Sequence, residues 1–387
     1  MILHLVHNSI FLDQIIDRFE NVNPNNNKYL LDSPKDEKIL SKRVEKIISA
    51  PPLSKKYFQL LGDFSQYDFV VIHFLNDCKV RIVNSAPSNV KFLWIMWGAD
   101  FYSVYPLNKF LLGQETQKIL FKIPFPVVIH EYITYFERTS RFLSYINFTG
   151  LIRGTRIPFR DRVKAIRRIN YYAPLIPNEI HLLHFIVPHP QNIVKFSYFE
   201  LKGLNEYGIL GDNILIGNSG GITNNHMEIF KKIKTLNFES RKIIVPLSYG
   251  NRHYINEINK TGMDLFPDNW NPLKEFYSKE KYEEILSSCG IVIMNHYRQQ
   301  GLGNIITALW YGAKVYLNNF VTTYVYFKSL GLIIFSIQED LNQNNHNVFV
   351  PLSQKEIHHN RNILIKEYGE DNILRETKII VETLLKK

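Results

Sequence analysis

The chain has 387 residues, is 45% hydrophobic and 13% aromatic, and carries a formal net charge of +10. That length and composition fill two cores and exclude a disordered chain, and no uncharged apolar run reaches the roughly 18 residues of a bilayer span. The two cysteines lie far apart and offer neither a disulfide framework nor a metal site, and the opening MILHLVHNSI lacks the basic block of a signal peptide, which together fit a reducing cytoplasm.

Short apolar runs at Met1–Val6, Lys28–Leu31, Phe69–Phe74, Phe92–Trp97 and Val127–His130 read as strands. FVVIHF and FLWIMW are apolar on both alternating faces, as inside a parallel sheet covered on both sides. Between them, Ser33 caps a helix predicted over Asp36–Ile48, with Ile39, Leu40, Val44, Ile47 and Ile48 on one face. In WIMWGADFY, residues 94 to 102, Asp100 follows a buried strand and a glycine turn. A carboxylate there either takes a proton from an acceptor hydroxyl or caps the next helix. His73, ending the neighbouring strand, would orient it as a base, and His4 in the first strand is a further candidate.

From Arg138 to Arg168 there are nine basic residues and one acid, interleaved with large apolar groups such as Phe142, Tyr145 and Phe148. That mixture suits an anionic membrane surface; a solvated helix face is the plainer reading. No nucleic-acid module accompanies the charge, so nucleic acid is not expected as a partner. The glycine-bearing stretch at residues 201 to 213 then reads as a linker.

The second half restarts the same alternation. Ile214–Ile216, Lys242–Leu247, Ile291–Met294, Lys314–Leu317 and Leu332–Phe335 read as strands; helices fall within Thr223–Ile233, His253–Lys260, Ser278–Ser288, Asn304–Tyr311 and Glu356–Leu385. Two β-α series joined by a linker argue for an α/β chain of two doubly wound domains, with ligands outside the carboxyl ends of the strands. Two glycine-bearing turns follow strands there. In ILIGNSGG the turn comprises Gly217, Asn218, Ser219 and Gly220; in NHYRQQGLGN it carries Arg298, Gln299, Gln300, Gly301, Gly303 and Asn304. A strand, a glycine turn and a helix start make an anion cradle, although many such turns hold nothing. Two cradles beside Arg298 suit a diphosphate, Tyr249 offers a flat face to a pyrimidine, and His226 is a charge-assisted donor or a structural histidine. No Asp-x-Asp pair is present to hold a metal, and no metal is expected.

GNSG with NxH after it (217 to 226), VPLSY (245 to 249), RQQGLG (298 to 303) and WxxWGADxY (94 to 102) together resemble the TDP-N-acetylfucosamine:lipid II N-acetylfucosaminyltransferases of enterobacterial common antigen synthesis. The likeness runs in register from the first strand, through His4 and His73, to Asn318. It implies a two-domain glycosyltransferase of the GT-B type, with the nucleotide sugar as substrate and no separate cofactor. The acceptor would be a polyprenyl-diphosphate-linked glycan at the inner face of the cell membrane, where the basic segment would dock. Residues 1–204 would bind the acceptor, 205–355 the donor, and the helical end 356–387 would return to the first domain. Asp100 would be the general base if the enzyme inverts and would orient the acceptor if it retains configuration, which the sequence leaves open, with Gln299 and Gln300 on phosphate or sugar hydroxyls. The chain departs from the family pattern at Ile95 and Met96, and Thr307 stands where related enzymes often place a ribose-binding glutamate. The sugar therefore stays open between N-acetylfucosamine, fucose and another deoxyamino sugar. A sugar-nucleotide epimerase of the same fold and a non-catalytic membrane-docked protein are the alternatives.

Overall fold

The computed structural model describes residues 1–34, 37–102, 110–122, 157–187, 190, 192–201, 203–204, 208 and 211–385. They fall into two compact units.

The first unit carries β1 (Ile2–Val6), β2 (Asn27–Asp32), β3 (Ile47–Ala50), β4 (Phe69–His73), β5 (Phe92–Met96) and β6 (Tyr171–Pro174) in the order β3-β2-β1-β4-β5-β6. Every pairing is parallel. β1, β4 and β5 are buried at every position, as their two-sided apolar pattern predicts. The helix Leu12–Val22 packs with the terminal helix Glu370–Leu385, whose Ile380, Val381 and Leu384 enter the same core.

The second unit carries β7 (Ile214–Ile216), β8 (Ile243–Pro246), β9 (Trp270–Leu273), β10 (Ile291–Met294), β11 (Lys314–Leu317) and β12 (Phe335–Ser336), ordered β12-β11-β10-β7-β8-β9 and again parallel. Numbered within each unit, both sheets wind 3-2-1-4-5-6, the doubly wound order in which the winding reverses between the first and fourth strands.

Several expectations need correction. The helix predicted over Asp36–Ile48 is absent from its described part: Val44–Lys46 is a single 3-10 turn and Ile47–Ala50 is β3. The β-branched Ile47 and Ile48 pair with Tyr29 and Leu30, and Asp13 accepts the Lys42 and Arg43 amides at 2.9 and 3.4 Å, which holds the preceding stretch out of a helix. The terminal helix is two, Gln354–Tyr368 and Glu370–Leu385. The first packs on the helix Leu302–Tyr311, with Ile357 against Gly312, and remains in the second unit. The helix Gln114–Lys122 also belongs to the second unit. Gly113 donates to Asn225 Oδ1 at 2.8 Å, Thr116 donates its N–H and O–H to Glu228 at 2.9 and 2.6 Å, and Ile119 enters that core.

Val127–His130 and the basic residues from Arg138 to Arg156 lie outside the described residues. Within the described end of that basic segment, Arg162 donates to Leu75 O at 2.8 Å and pairs with Asp77, Arg167 donates to Ile186 O, and Arg168 caps the carbonyls of Val83 and Pro87. These three arginines tie the helix Phe159–Arg168 to its own unit. Among the described residues no helix is long and apolar enough to cross a membrane.

Candidate functional site

In the second unit the winding reverses between β7 and β10, and the two glycine turns singled out in the sequence follow those two strands. They meet. Gln300 donates its amide to Asn218 Oδ1 at 3.0 Å and accepts the Thr223 hydroxyl at 2.6 Å. His296 lies 2.9 Å from Asn224 Oδ1, and Asn225 and Asn295 exchange side-chain-to-carbonyl bonds at 3.2 and 3.1 Å. Gly301 stands at φ +64°, and a Cβ there would come 3.2 Å from His296 Cε1 and 3.3 Å from Asn218 Cγ.

The two turns are not equivalent. In the first, the amides of Gly217, Asn218, Gly220 and Gly221 are bonded to Ile293 O, Asn224 Oδ1, Tyr249 O and Ser219 Oγ. It is a buttress rather than a cradle. The second opens the ten-residue helix Leu302–Tyr311, whose first amides have no intrahelical acceptor and whose dipole is positive at that end. Arg298 lies beside it, half-buried, with Nη1 on Gln299 O at 2.8 Å. Of the two turns, the second is therefore the one with amides left to offer an anion, and Asn218 stands against its Gly301.

His226 does not reach this site as a charged donor. Its side chain is fully buried, burial pushes its pKa from the usual 6.5 down to about 3, and its Nε2 faces Gly217. The neutral ring props the first turn from below, with Nδ1 against Tyr254 OH at 3.1 Å. Gln300 is likewise occupied between the turns, whereas Gln299 is buried with its Oε1 unpaired among the described residues.

Beside the helix start lies a cavity of about 160 Å³ lined by Asn218, Pro246, Tyr249, Phe276, Tyr282 and Asn304 among others. Tyr249 is half exposed and stacked on Phe276 with centroids 5.8 Å apart, and Asn304 donates to Tyr282 OH at 2.9 Å. The sequence reading singled out Tyr249 and Asn304 but missed Phe276 and Tyr282, which stand far along the chain with no local signature. A larger cavity of about 490 Å³, bordered by Gly211, Asp212 and Gly290, lies at the opposite ends of β7 and β10, away from this chemistry.

In the first unit, Asp100 is buried and both oxygens are occupied. Oδ2 accepts Leu75 N and Trp94 Nε1 at 2.8 Å each, and Oδ1 accepts Trp97 N at 2.9 Å and Phe101 N at 3.0 Å. Burial pushes its pKa up and these bonds pull it back. The expected Asp100–His73 pair is not formed: His73 Nε2 lies 3.1 Å from His4 Nδ1 and its Nδ1 lies 3.0 Å from Tyr198 OH. Both histidines are fully buried, and burial pushes both pKa values far below the usual range. Asp100 is thus a pin between strand ends, and His73 belongs to a buried polar chain.

Two parallel sheets of this winding give the chain the GT-B fold. Residues 203–347 match the family model described as 4-alpha-L-fucosyltransferase, glycosyl transferase group 56, so the resemblance read in the sequence is borne out over that stretch. Similar solved structures include a glycosyltransferase from Rickettsia africae (13% identity, 100% of this chain and 98% of that one, TM-score 0.58). Anabaena HepE, solved with UDP and glucose, is 9% identical over 99% of this chain and 98% of that one, with TM-score 0.62. Sucrose-phosphate synthase from Thermosynechococcus elongatus is also 9% identical at the same coverage, with TM-score 0.65. At such identities the likeness is one of fold.

Proposed function

We propose that this glycosyltransferase moves a deoxy or deoxyamino sugar, of the fucose or N-acetylfucosamine kind, from a nucleoside diphosphate to a polyprenyl-diphosphate-linked glycan. The observation that carries the reading is the meeting of the β7 and β10 turns at the open amides of the Leu302–Tyr311 helix. A diphosphate there gains from the amides of Gly301, Gly303 and Asn304, from the helix dipole and from Arg298, and those interactions strengthen as the leaving group takes up charge. Asn218 borders it, with Ser219 next to it in the chain, Gln299 offers an amide to phosphate or sugar, and the base lies against Tyr249. The nucleotide carries the leaving group itself, so no separate cofactor enters.

The family match supports a fucose-type sugar, and Thr307 in place of a ribose-binding glutamate suits the deoxyribose of a TDP donor. A lipid-linked acceptor would put the enzyme at the inner membrane face, with the basic stretch beginning at Arg138 supplying attraction to anionic headgroups. A thermal-shift screen of TDP-, UDP- and GDP-linked sugars tests the donor, because binding to the folded state raises the melting temperature. No shift with any of them would remove the reading. Conversion of the sugar in the absence of acceptor would favour an epimerase instead.

A further inference from the structure

The cavity beside the start of the helix Leu302–Tyr311 holds a hydroxyl with a proton to give. Tyr282 lines it from the helix Lys279–Ser287, which leads into β10 and is capped by Ser278 through the Lys281 amide at 3.2 Å. Two bonds tie this helix to Leu302–Tyr311. Asn304 Nδ2 donates to the Tyr282 hydroxyl at 2.9 Å, and the Tyr311 hydroxyl donates to Glu283 at 3.3 Å.

A phenol can accept and donate at once. The bond from Asn304 is the one hydrogen bond of the Tyr282 hydroxyl among the described residues, and in it the oxygen accepts, so its own proton is unspent. Burial, with Tyr249 and Cys289 nearby, pushes its pKa above the usual 10 against the pull of Asn304, which keeps the proton in place at physiological pH. A donor on a cavity wall calls for an acceptor inside the cavity.

The place of Asn304 says which acceptor. It is the third residue of its helix, where the backbone amide has no intrahelical partner and the dipole favours an anion. The unspent proton therefore stands one hydrogen bond away from a residue at the open helix start. The same cavity is lined by Asn218 and Tyr249, the side on which the base is placed, whereas Arg298 and Gln299 come before the helix start and do not line it. Of the two phosphates, the one joined to the nucleoside falls on the Tyr282 side. Glu275 also borders the cavity, but it is exposed, where solvent and salt screen its repulsion.

We propose that Tyr282 is a phosphate-binding residue of the donor site: its hydroxyl, held by Asn304, donates to an oxygen of the α-phosphate. This rests on the nucleotide site proposed above. The α-phosphate is present in donor and product alike, so the bond acts on binding more than on the chemical step.

The test measures thymidine, TMP and TDP binding by calorimetry, thymidine in competition with TDP, for wild type, Tyr282→Phe and Asn304→Ala. Phenylalanine keeps the ring and removes the hydroxyl. The expected result is that Tyr282→Phe binds TMP and TDP about tenfold more weakly, by the same factor for both, and binds thymidine as the wild type does. Asn304→Ala, which takes away the partner of the hydroxyl, should show the same pattern at about threefold. TMP and TDP affinities unchanged in Tyr282→Phe, or a loss for thymidine as large as that for TMP, would overturn the phosphate role and leave the donor site standing; a mere tie between helices would lower the melting temperature without touching the phosphate-dependent part of binding. A wild type that binds neither TDP nor UDP would overturn the donor site itself.

Discussion

Gln300 and Asn218, 82 residues apart in the chain, are joined by a 3.0 Å hydrogen bond that closes one glycine turn onto the other. The other end of the same amide accepts Thr223, so one side chain staples the turn after β10 to both ends of the turn after β7. Each such bond contributes about 0.5–1.5 kcal/mol. Gln300→Ala should therefore lower the unfolding free energy by about 1–2 kcal/mol, read from urea denaturation, and loosen TDP binding. Full stability together with full TDP affinity would mean that the staple holds nothing.

Gly217 and Gly301 differ in how much room surrounds them. Both have positive φ, but a Cβ on Gly217 would come 2.7 Å from Asn224 Oδ1 and from His226 Nε2, whereas on Gly301 the nearest contact is 3.2 Å. Alanine at either position meets left-handed strain of about 1–2 kcal/mol, and only at Gly217 does it also displace buried polar groups. Gly217→Ala should lower the denaturation midpoint more than Gly301→Ala, while Gly301→Ala should weaken TDP binding by crowding the helix start. The reverse order of stabilities would contradict this geometry.

Asp100→Ala would leave four N–H groups at buried strand ends without their carboxylate. Hydrogen bonds to a charged group contribute about 1.5–3 kcal/mol each, so the loss should exceed about 3 kcal/mol in chemical denaturation. A variant that kept wild-type stability and lost only turnover would instead mark Asp100 as the base.

Burial holds His4, His226 and His296 at pKa values of about 3, against 6.5 unperturbed. The unfolded chain takes up protons below pH 6.5 that the folded one refuses. Stability is thus fully present above pH 6.5 and falls as the pH drops toward 3, by about 1.4 kcal/mol per pH unit for each imidazole once the unfolded ring is fully protonated. Unfolding free energies between pH 7 and 5, above most carboxylate titration, should show this slope. A flat profile in that interval would mean that the three rings are not held neutral.

The strands β4, β5, β7, β10 and β11 were legible because parallel strands covered on both faces are continuous apolar runs with turn residues at their ends. β3 was misread as helix because Ile47 and Ile48 fit either period and only pairing with β2 decides. The two turns were found from their glycines and the helix that follows. That the first has its amides bonded internally was not legible, since it depends on the buried side chain of Asn224 and on the Tyr249 carbonyl.

The structure of a TDP complex tests the central claim most directly. The account predicts diphosphate oxygens within hydrogen-bonding distance of the Gly301 to Gly303 amides, with the Arg298 guanidinium alongside and the thymine ring against Tyr249. A nucleotide bound away from that helix start, or one whose phosphates point into solvent there, would contradict it.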